Sequence, residues 1–277
     1  MTIIIRPAKS HTDFSAVEAI QRLVWGGEGD YIVPANLLLT VQKNDGLVLA
    51  AFDTEVDELA GMVGFVFSFI GRTKAGRYKH CSHMLAVLAA YRDQQLGAEL
   101  KWAQRDYVLA QGIDLMTWTY DPLESRNAHL NINKLGAVCN TFYANLYGDM
   151  RDSFNAGMPS DRFQVDWHLA SAQLANRHNA APALVVPAAA LLLNPSPTDD
   201  PDAPATALQQ PTGTQLLIRF PADFQSLKAH RPELARAWKL QLRALCEQCF
   251  STGYTVTGLL RNGAQSLYLL DYHWSPS

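Results

Sequence analysis

The stretch LAVLAAYRDQQLGAELKWAQRDY, residues 85–107, decides how the chain is read. LAVLAA has the apolar character of a strand. From Gly97 to about Gln111 the residues Leu100, Ala103, Tyr107 and Ala110 recur at helical spacing, and Gly112 supplies a C-terminal stop. Between strand and helix lies a short loop with one arginine and one glycine. Such a turn presents the first free backbone N–H groups of the helix, and with the helix dipole these form an anion site. Gly97, Ala98 and the cation of Arg92 suit that use, whereas Asp93 adds a negative charge and Gln95 adds bulk. On spacing alone, the residues fit an ordinary strand-to-helix connection better than a phosphate cradle.

Upstream, TIIIRPAK alternates as a strand and HTDFSAVEAIQRLVWG carries Phe14, Val17, Ile20 and Val24 at helical spacing up to Gly26. A short helix through ANLLLTVQKND follows. GLVLAAFD, ELAGMVGFVFSFIG and YKHCSHMLAVLAA then predict an antiparallel meander. Downstream, IDLMTWTYDP is a strand closed by Pro122, LESRNAHLNINKLG a helix stopped at Gly136, and CNTFYANLYGDM and FQVDWHL two further strands. The predicted order to residue 170 is β-α-α-β-β-β-α-β-α-β-β.

Residues 171–213 are rich in Ala and Pro and poor in periodicity, which predicts a linker whose apolar run ALVVPAAALLL packs on a surface. Residues 214–277 predict a small β-α-β-β unit: TQLLIRF, a helix opened by Pro232, then YTVTGLLR and SLYLLDY around a turn. Its core is too small to stand alone. It is expected to pack on the first domain (1–170) or on a second subunit, and hence a homodimer is expected.

Composition narrows the function. A net charge of −3 and a pI near 6.2 argue against a nucleic-acid partner. The longest apolar run, AAPALVVPAAALLL, contains Pro182 and Pro187 and falls short of the roughly 20 residues a spanning helix needs, so no membrane partner is expected. MTIIIRPAKS has an arginine at position 6 and reads as a first strand rather than a leader. Cys81, Cys139, Cys246 and Cys249 provide a single C-x-x-C inside a helical pattern, so a reduced, cytoplasmic thiol set is expected and no metal site.

Taken with this strand order, LAVLAAYRDQQLGAEL and SRNAHLNINKLGA resemble the GNAT superfamily of acetyl-CoA-dependent acyltransferases over roughly residues 1–170. The block from GIDLMTWTYDP to LYGDM, with GMPSDRFQVDW, is similar to a bacterial subgroup of it. The resemblance implies an α/β (α+β) fold with a mixed, mostly antiparallel sheet flanked by helices. It also implies acetyl-CoA or another acyl-CoA as co-substrate and a small-molecule or peptide amine as acceptor. Carried over, Leu85, Ala86 and Val87 become the strand facing the pantetheine arm, and Arg92, Gln95, Gly97 and Ala98 the pyrophosphate loop. Gln95 stands where the family pattern has its first glycine. Ile132 stands where many members carry a tyrosine that protonates the leaving thiolate. These two departures motivate an alternative, an acyl-CoA-binding regulatory protein without turnover; an interaction module that binds no coenzyme A is a third reading.

Acyl transfer to an amine needs a base for the ammonium proton and donors for the oxyanion. His83, two residues before Leu85, is expected on the same side of its strand, and His80 on the other. Asp121 is placed to receive a substrate ammonium or, equally, to cap the following helix. Tyr143 and Tyr147 are the nearest alternative acids. Arg126, Asn127, His129, Asn131 and Asn133 form a polar stripe, from which Asn127 and Asn131 are candidates for cofactor contact. Ser160, Asp161 and Arg162 sit in a loop that either completes a substrate pocket or is pinned by its own Asp–Arg pair.

Overall fold

The computed structural model describes residues 2–26, 32–92, 94–150, 156–174, 177–178, 184–197, 200 and 202–276. Asp93 lies outside them. By compactness the chain divides into two units, with the break between Trp118 and Thr119. The first is Met1–Trp118 with His168–Ala170. The second is Thr119–Met150, the stretch ending at Trp167, and Ser171–Ser277.

The first unit is built on β1 (Ile3–Pro7), β2 (Leu47–Asp53), β3 (Met62–Arg72), β4 (Tyr78–Val87) and the start of β5 (Leu115–Tyr120), in that spatial order. Neighbours are antiparallel except β4 and β5, which run parallel. Alternation along β2 assigns the two faces. Val48, Ala50 and Phe52 pack with Phe14, Val17 and Ile20 of α1 (His11–Trp25) and Leu38 of α2 (Ala35–Lys43); Leu47, Leu49 and Ala51 pack with Leu96 and Leu100 of α3 (Leu96–Ala110). A capping box starts α1: Ser10 accepts from the Asp13 amide while the Asp13 carboxylate accepts from the amides of Ser10 and Lys9 and from Arg6.

The second unit holds β6 (Val138–Tyr143), β7 (Arg162–His168), β8 (Leu191–Leu192), β9 (Gln215–Pro221), β10 (Tyr254–Asn262) and β11 (Gln265–Tyr272), ordered β7-β6-β10-β11-β9-β8. Here α4 (Ser125–Ala128) runs into a π-helical stretch, His129–Lys134, that ends before Gly136 in a left-handed conformation. The C-terminal unit joins the sheet through one bridge, Val256 opposite Cys139. Its helix α6 (Pro232–Ser251) lies on β6, β9 and β10 with Ala235, Trp238, Leu242, Leu245 and Cys249 buried at helical spacing. The covering surface that the small C-terminal core requires is thus present within the chain.

An additional helix, α5 (Phe224–His230), makes the C-terminal order β-α-α-β-β. It is short and its start depends on the Asp223 side chain accepting from the Ser226 amide, which leaves little periodicity to detect. The Ala/Pro segment is stitched down where described. Asn194 exchanges hydrogen bonds with the Arg219 backbone, Gln241 brackets Ala205, and Leu184 packs where Gly258 lacks a side chain, while Val185 and Val186 stay exposed.

Candidate functional site

Along β4 one edge is fully laddered to β3, but the other pairs with β5 only at His80↔Met116 and Cys81↔Thr117. From Ser82 to Val87 that second edge has no strand partner among the described residues. Leu85 and Val87 therefore turn backbone groups to the open edge that an extended arm could meet by strand addition, while those of Ala86 face β3. Just beyond, Leu88 returns its amide to Val63, and Tyr91 is tied by its hydroxyl to Asp53 at 2.9 Å. Arg92 is exposed, and its Nε donates to the Val87 carbonyl at 3.3 Å.

Gln95 then takes φ +64°, ψ 1°, the left-handed conformation that a glycine adopts without strain. Gln95 makes no side-chain cap, and its carbonyl accepts from Ala98 and Glu99. The amides of Leu96 and Gly97 donate to no described residue. They head a fifteen-residue helix whose N-terminal pole favours an anion. A Cβ at Gly97 would meet only Leu85 at 3.8 Å, so protein packing does not demand this glycine.

The histidines separate as expected, but His83 is not on the side of Leu85. Met84 opposes Phe67 and Ser82 opposes Ser68, so His83 is the extra residue of a β-bulge and the period-2 count fails there. Its ring packs edge-on to Phe67 and against Phe69, at 6.0 and 6.1 Å, on the face of Met84. It makes no hydrogen bond to a described residue, and partial burial lowers its pKa below the usual histidine value. His80 instead is fully buried toward α3, between Ser68 at 3.0 Å and Gln111 at 2.8 Å.

Sequence reasoning missed Lys101. It is 2% exposed; Nζ donates to Ser82 Oγ at 3.0 Å and Gln104 Oε1 at 2.9 Å and lies 3.5 Å from the centre of the Trp118 ring. Burial pushes the amine well below the usual lysine value. Gln104 Nε2, in the same cluster, is buried without a partner. Lysines on a helix read by default as solvated, and only the chain's return to Ser82 and Trp118 buries this one.

In the second unit, Asp121 is already engaged. One oxygen accepts from the Leu123 amide at 3.0 Å; the other accepts from Lys239, which is 1% exposed, with Arg162 3.9 Å away. Asp121 thus forms the turn before α4, whose N-cap is Glu124, and the ammonium it holds is the chain's own. Glu124 accepts from Gln225, and burial raises its pKa. Tyr143 donates to Gln164 at 3.1 Å and Tyr147 meets Thr119 at 2.9 Å; both rings are exposed.

The polar stripe divides by role. Asn133 brackets the Leu259 backbone, donating to its carbonyl at 2.7 Å and accepting from its amide at 3.1 Å. Asn127 is exposed, Asn131 is buried, and Ile132 is buried with no proton to give. In the 160–162 loop, Asp161 pairs with Arg243 at 2.6 Å rather than with Arg162, and Ser160 ties the loop to Tyr147 and Gly148. That loop is pinned. Among the described residues no cluster of His, Cys, Asp or Glu could hold a metal ion. No helix of the described residues is long and apolar enough to cross a membrane.

Comparison by sequence finds no matching family model and no curated relative. Solved structures do match. The NatC complex bound to Gag peptide and CoA superposes with a TM-score of 0.50 at 15% identity, over 61% of this chain and 99% of that one. Arabidopsis thaliana NAA60 in complex with acetyl-CoA gives 0.48 at 14%, over 60% and 99%. A Streptococcus pneumoniae acetyltransferase of the GNAT family gives 0.48 at 16%, over 60% and 98%. The first of these supports the fold class: over about three-fifths of its length the chain shares with that structure a mixed, mostly antiparallel sheet flanked by helices, as the strand order led one to expect.

Proposed function

We propose that the chain is an N-acyltransferase that moves an acyl group from acyl-CoA directly to an amine. The observation that carries this is the open edge of β4 leading into a turn whose left-handed Gln95 leaves the Leu96 and Gly97 amides free at the start of α3. Backbone groups of Leu85 and Val87, which turn away from β3, would hold the pantetheine arm, and the amides of Leu96 and Gly97 with Arg92 the pyrophosphate; the groups of Ala86 face β3 and the Ala98 amide is spent on Gln95. As base we propose His83, whose imidazole makes no hydrogen bond to a described residue and is held below the usual histidine pKa by burial; it lies at the bulge on the Met84 face, not on the Leu85 face, and would take the proton of the acceptor ammonium from there. The amine nitrogen then attacks the thioester carbonyl, gives up its second proton to water, the carbon–sulfur bond breaks, and the thiolate leaves. With Ile132 in the next helix, the thiolate is protonated from water, which a good leaving group tolerates. Asp121 is assigned no role in binding the acceptor, because Lys239 fills it.

Calorimetric titration of acetyl-CoA, with dephospho-CoA as comparison, tests the reading. Saturable binding lost in Arg92→Glu is expected; unchanged affinity in that variant would overturn the pyrophosphate site. Sustained release of free thiol with an amine acceptor excludes binding without turnover. Activity in His83→Gln should fall by about 10²-fold or more, the scale of a general base. A cytoplasmic location and a homodimer are finer proposals; a monomeric mass by light scattering at micromolar concentration refutes the latter.

A further inference from the structure

We propose that the acceptor is a monoamine carrying an aromatic ring, the ring seated on Phe69 and the amino group at His83. This names the substrate class of the acyl-transfer reading and rests on that reading for the chemistry.

The site lies where the cover on one sheet face stops. Phe65, Phe67, Phe69 and Gly71 alternate onto the face of β3 over which α1 and α2 pack. Helix α1 ends at Trp25, whose ring meets Phe65 edge-on at 6.4 Å. Exposure along that line is 0% at Phe65, 3% at Phe67 and 38% at Phe69, so the face emerges into solvent between the last two. The bulge in β4 delivers His83 to the same place. Its imidazole is crowded by Phe67 and Phe69 and still reaches solvent.

Beyond Phe69 the wall stays low. Phe69 pairs with Cys81 and Gly71 with Lys79. A Cβ at Gly71 would stand 2.7 Å from Cys81 Sγ and 3.8 Å from Lys79 Cε, so both side chains lie down over the bare glycine. No branched side chain rises from that position beside the Phe69 ring.

Two features select the ligand. Residues 67–71 and 79–83, the strand segments that form this rim, include no carboxylate, and Lys79 is a cation. A polyamine would bring its second ammonium beside Lys79 without a counter-charge from these segments. A monoamine avoids that repulsion. The second feature is the ring itself: aromatic pairs settle with centres roughly 4.5–7 Å apart and attract beyond their buried area. The centres of His83 and Phe69 are 6.1 Å apart, so a ring stacked on Phe69 lies within a short linker of an amine hydrogen-bonded to the imidazole. An aliphatic acceptor covers the same area without the added attraction.

The test uses the full chain with phenethylamine, its saturated counterpart 2-cyclohexylethylamine, and spermidine. Without acyl-CoA, phenethylamine should shift the imidazole resonances of His83 saturably, the assignment coming from their loss in His83→Gln. With acetyl-CoA, thiol release should favour phenethylamine over 2-cyclohexylethylamine by about two- to tenfold in kcat/KM, and over spermidine by more. Phe69→Leu keeps an apolar surface without a ring and should abolish the first preference, the loss falling on KM. No His83 shift at tens of millimolar phenethylamine would overturn the proposal, as would a preference for spermidine or a ring preference that survives Phe69→Leu. A saturable His83 shift with no thiol release from any amine would instead overturn the acyl-transfer reading and leave the aromatic-amine site standing.

Discussion

Replacing Lys101 by methionine separates the forces on the buried amine. Removing an ammonium from water costs several kcal/mol even after relaxation. Against this, the Trp118 face at 3.5 Å returns about 2 kcal/mol. The bonds to Ser82 and Gln104 return about 1 kcal/mol each. Burial therefore retains a modest lead, and the folded chain releases this proton at a lower pH than the unfolded chain does. The sign follows: in the window below the ordinary lysine value of about 10.4, unfolding takes up a proton, so this group's contribution to stability rises with pH by up to about 1.4 kcal/mol per unit. Lys101→Met removes that slope. Its stability relative to the parent should be most favourable at neutral pH, where the desolvated amine costs most. The advantage should shrink towards pH 10, where the parent keeps the amine's hydrogen bonds without its charge. Urea unfolding of both proteins at pH 7, 8, 9 and 10, followed by tryptophan fluorescence, cancels every other titration in the difference. Parallel stability curves would refute the reasoning, because they would mean that Lys101 titrates alike in both states.

Gln95→Gly should stabilise by about 0.5 kcal/mol: relief of about 1–2 kcal/mol of left-handed strain is partly offset by the extra freedom of glycine in the unfolded chain. Its melting temperature should rise and the coenzyme A binding proposed for the turn should persist, since the amides there are unchanged; a lower melting temperature would contradict the strain. Asp13, despite burial that opposes ionisation, is held at a pKa of about 2 by Arg6 and the amides of Lys9 and Ser10. It therefore contributes about 2 kcal/mol above the unfolded value near 3.9, lost as pH falls through about 2, and acid titration of Asp13→Asn should lack that contribution. Asp121→Asn strands the buried Lys239 and should cost about 3 kcal/mol, whereas replacing both Asp121 and Lys239 by leucine should recover much of it. Chemical denaturation of the three proteins decides this, and a near-neutral Asp121→Asn would mean the pair is not desolvated.

The elements legible in the sequence were those whose burial repeats along the chain. The three- and four-residue recurrence in α1 and α3, the alternation in β1, the apolar runs of β2–β4 and the stops at Gly112 and Gly136 all follow from local geometry, and together they give the strand order of the first part of the fold. The passage from β4 into α3 was legible for the same reason, since apolar run and helical spacing are both local. That Gln95 keeps the glycine conformation was not, because a left-handed φ at a non-glycine residue is imposed by the surrounding chain. His83 was misplaced because one bulged residue, defined only by pairing with β3, reverses the face of everything counted across it.

Charge partnerships were the least legible. Lys239 lies 118 residues from Asp121, Arg243 lies 82 from Asp161, and Lys101 finds Ser82 and Trp118 on two different strands. No period or spacing encodes such pairs, since each depends on where separate elements pack. By itself the sequence determined most of the segments that are helix and strand, because these depend on neighbours within a few residues. The tertiary structure decided which carboxylates and amines are already spent on each other, because desolvation and pairing exist only once distant parts of the chain have excluded water together.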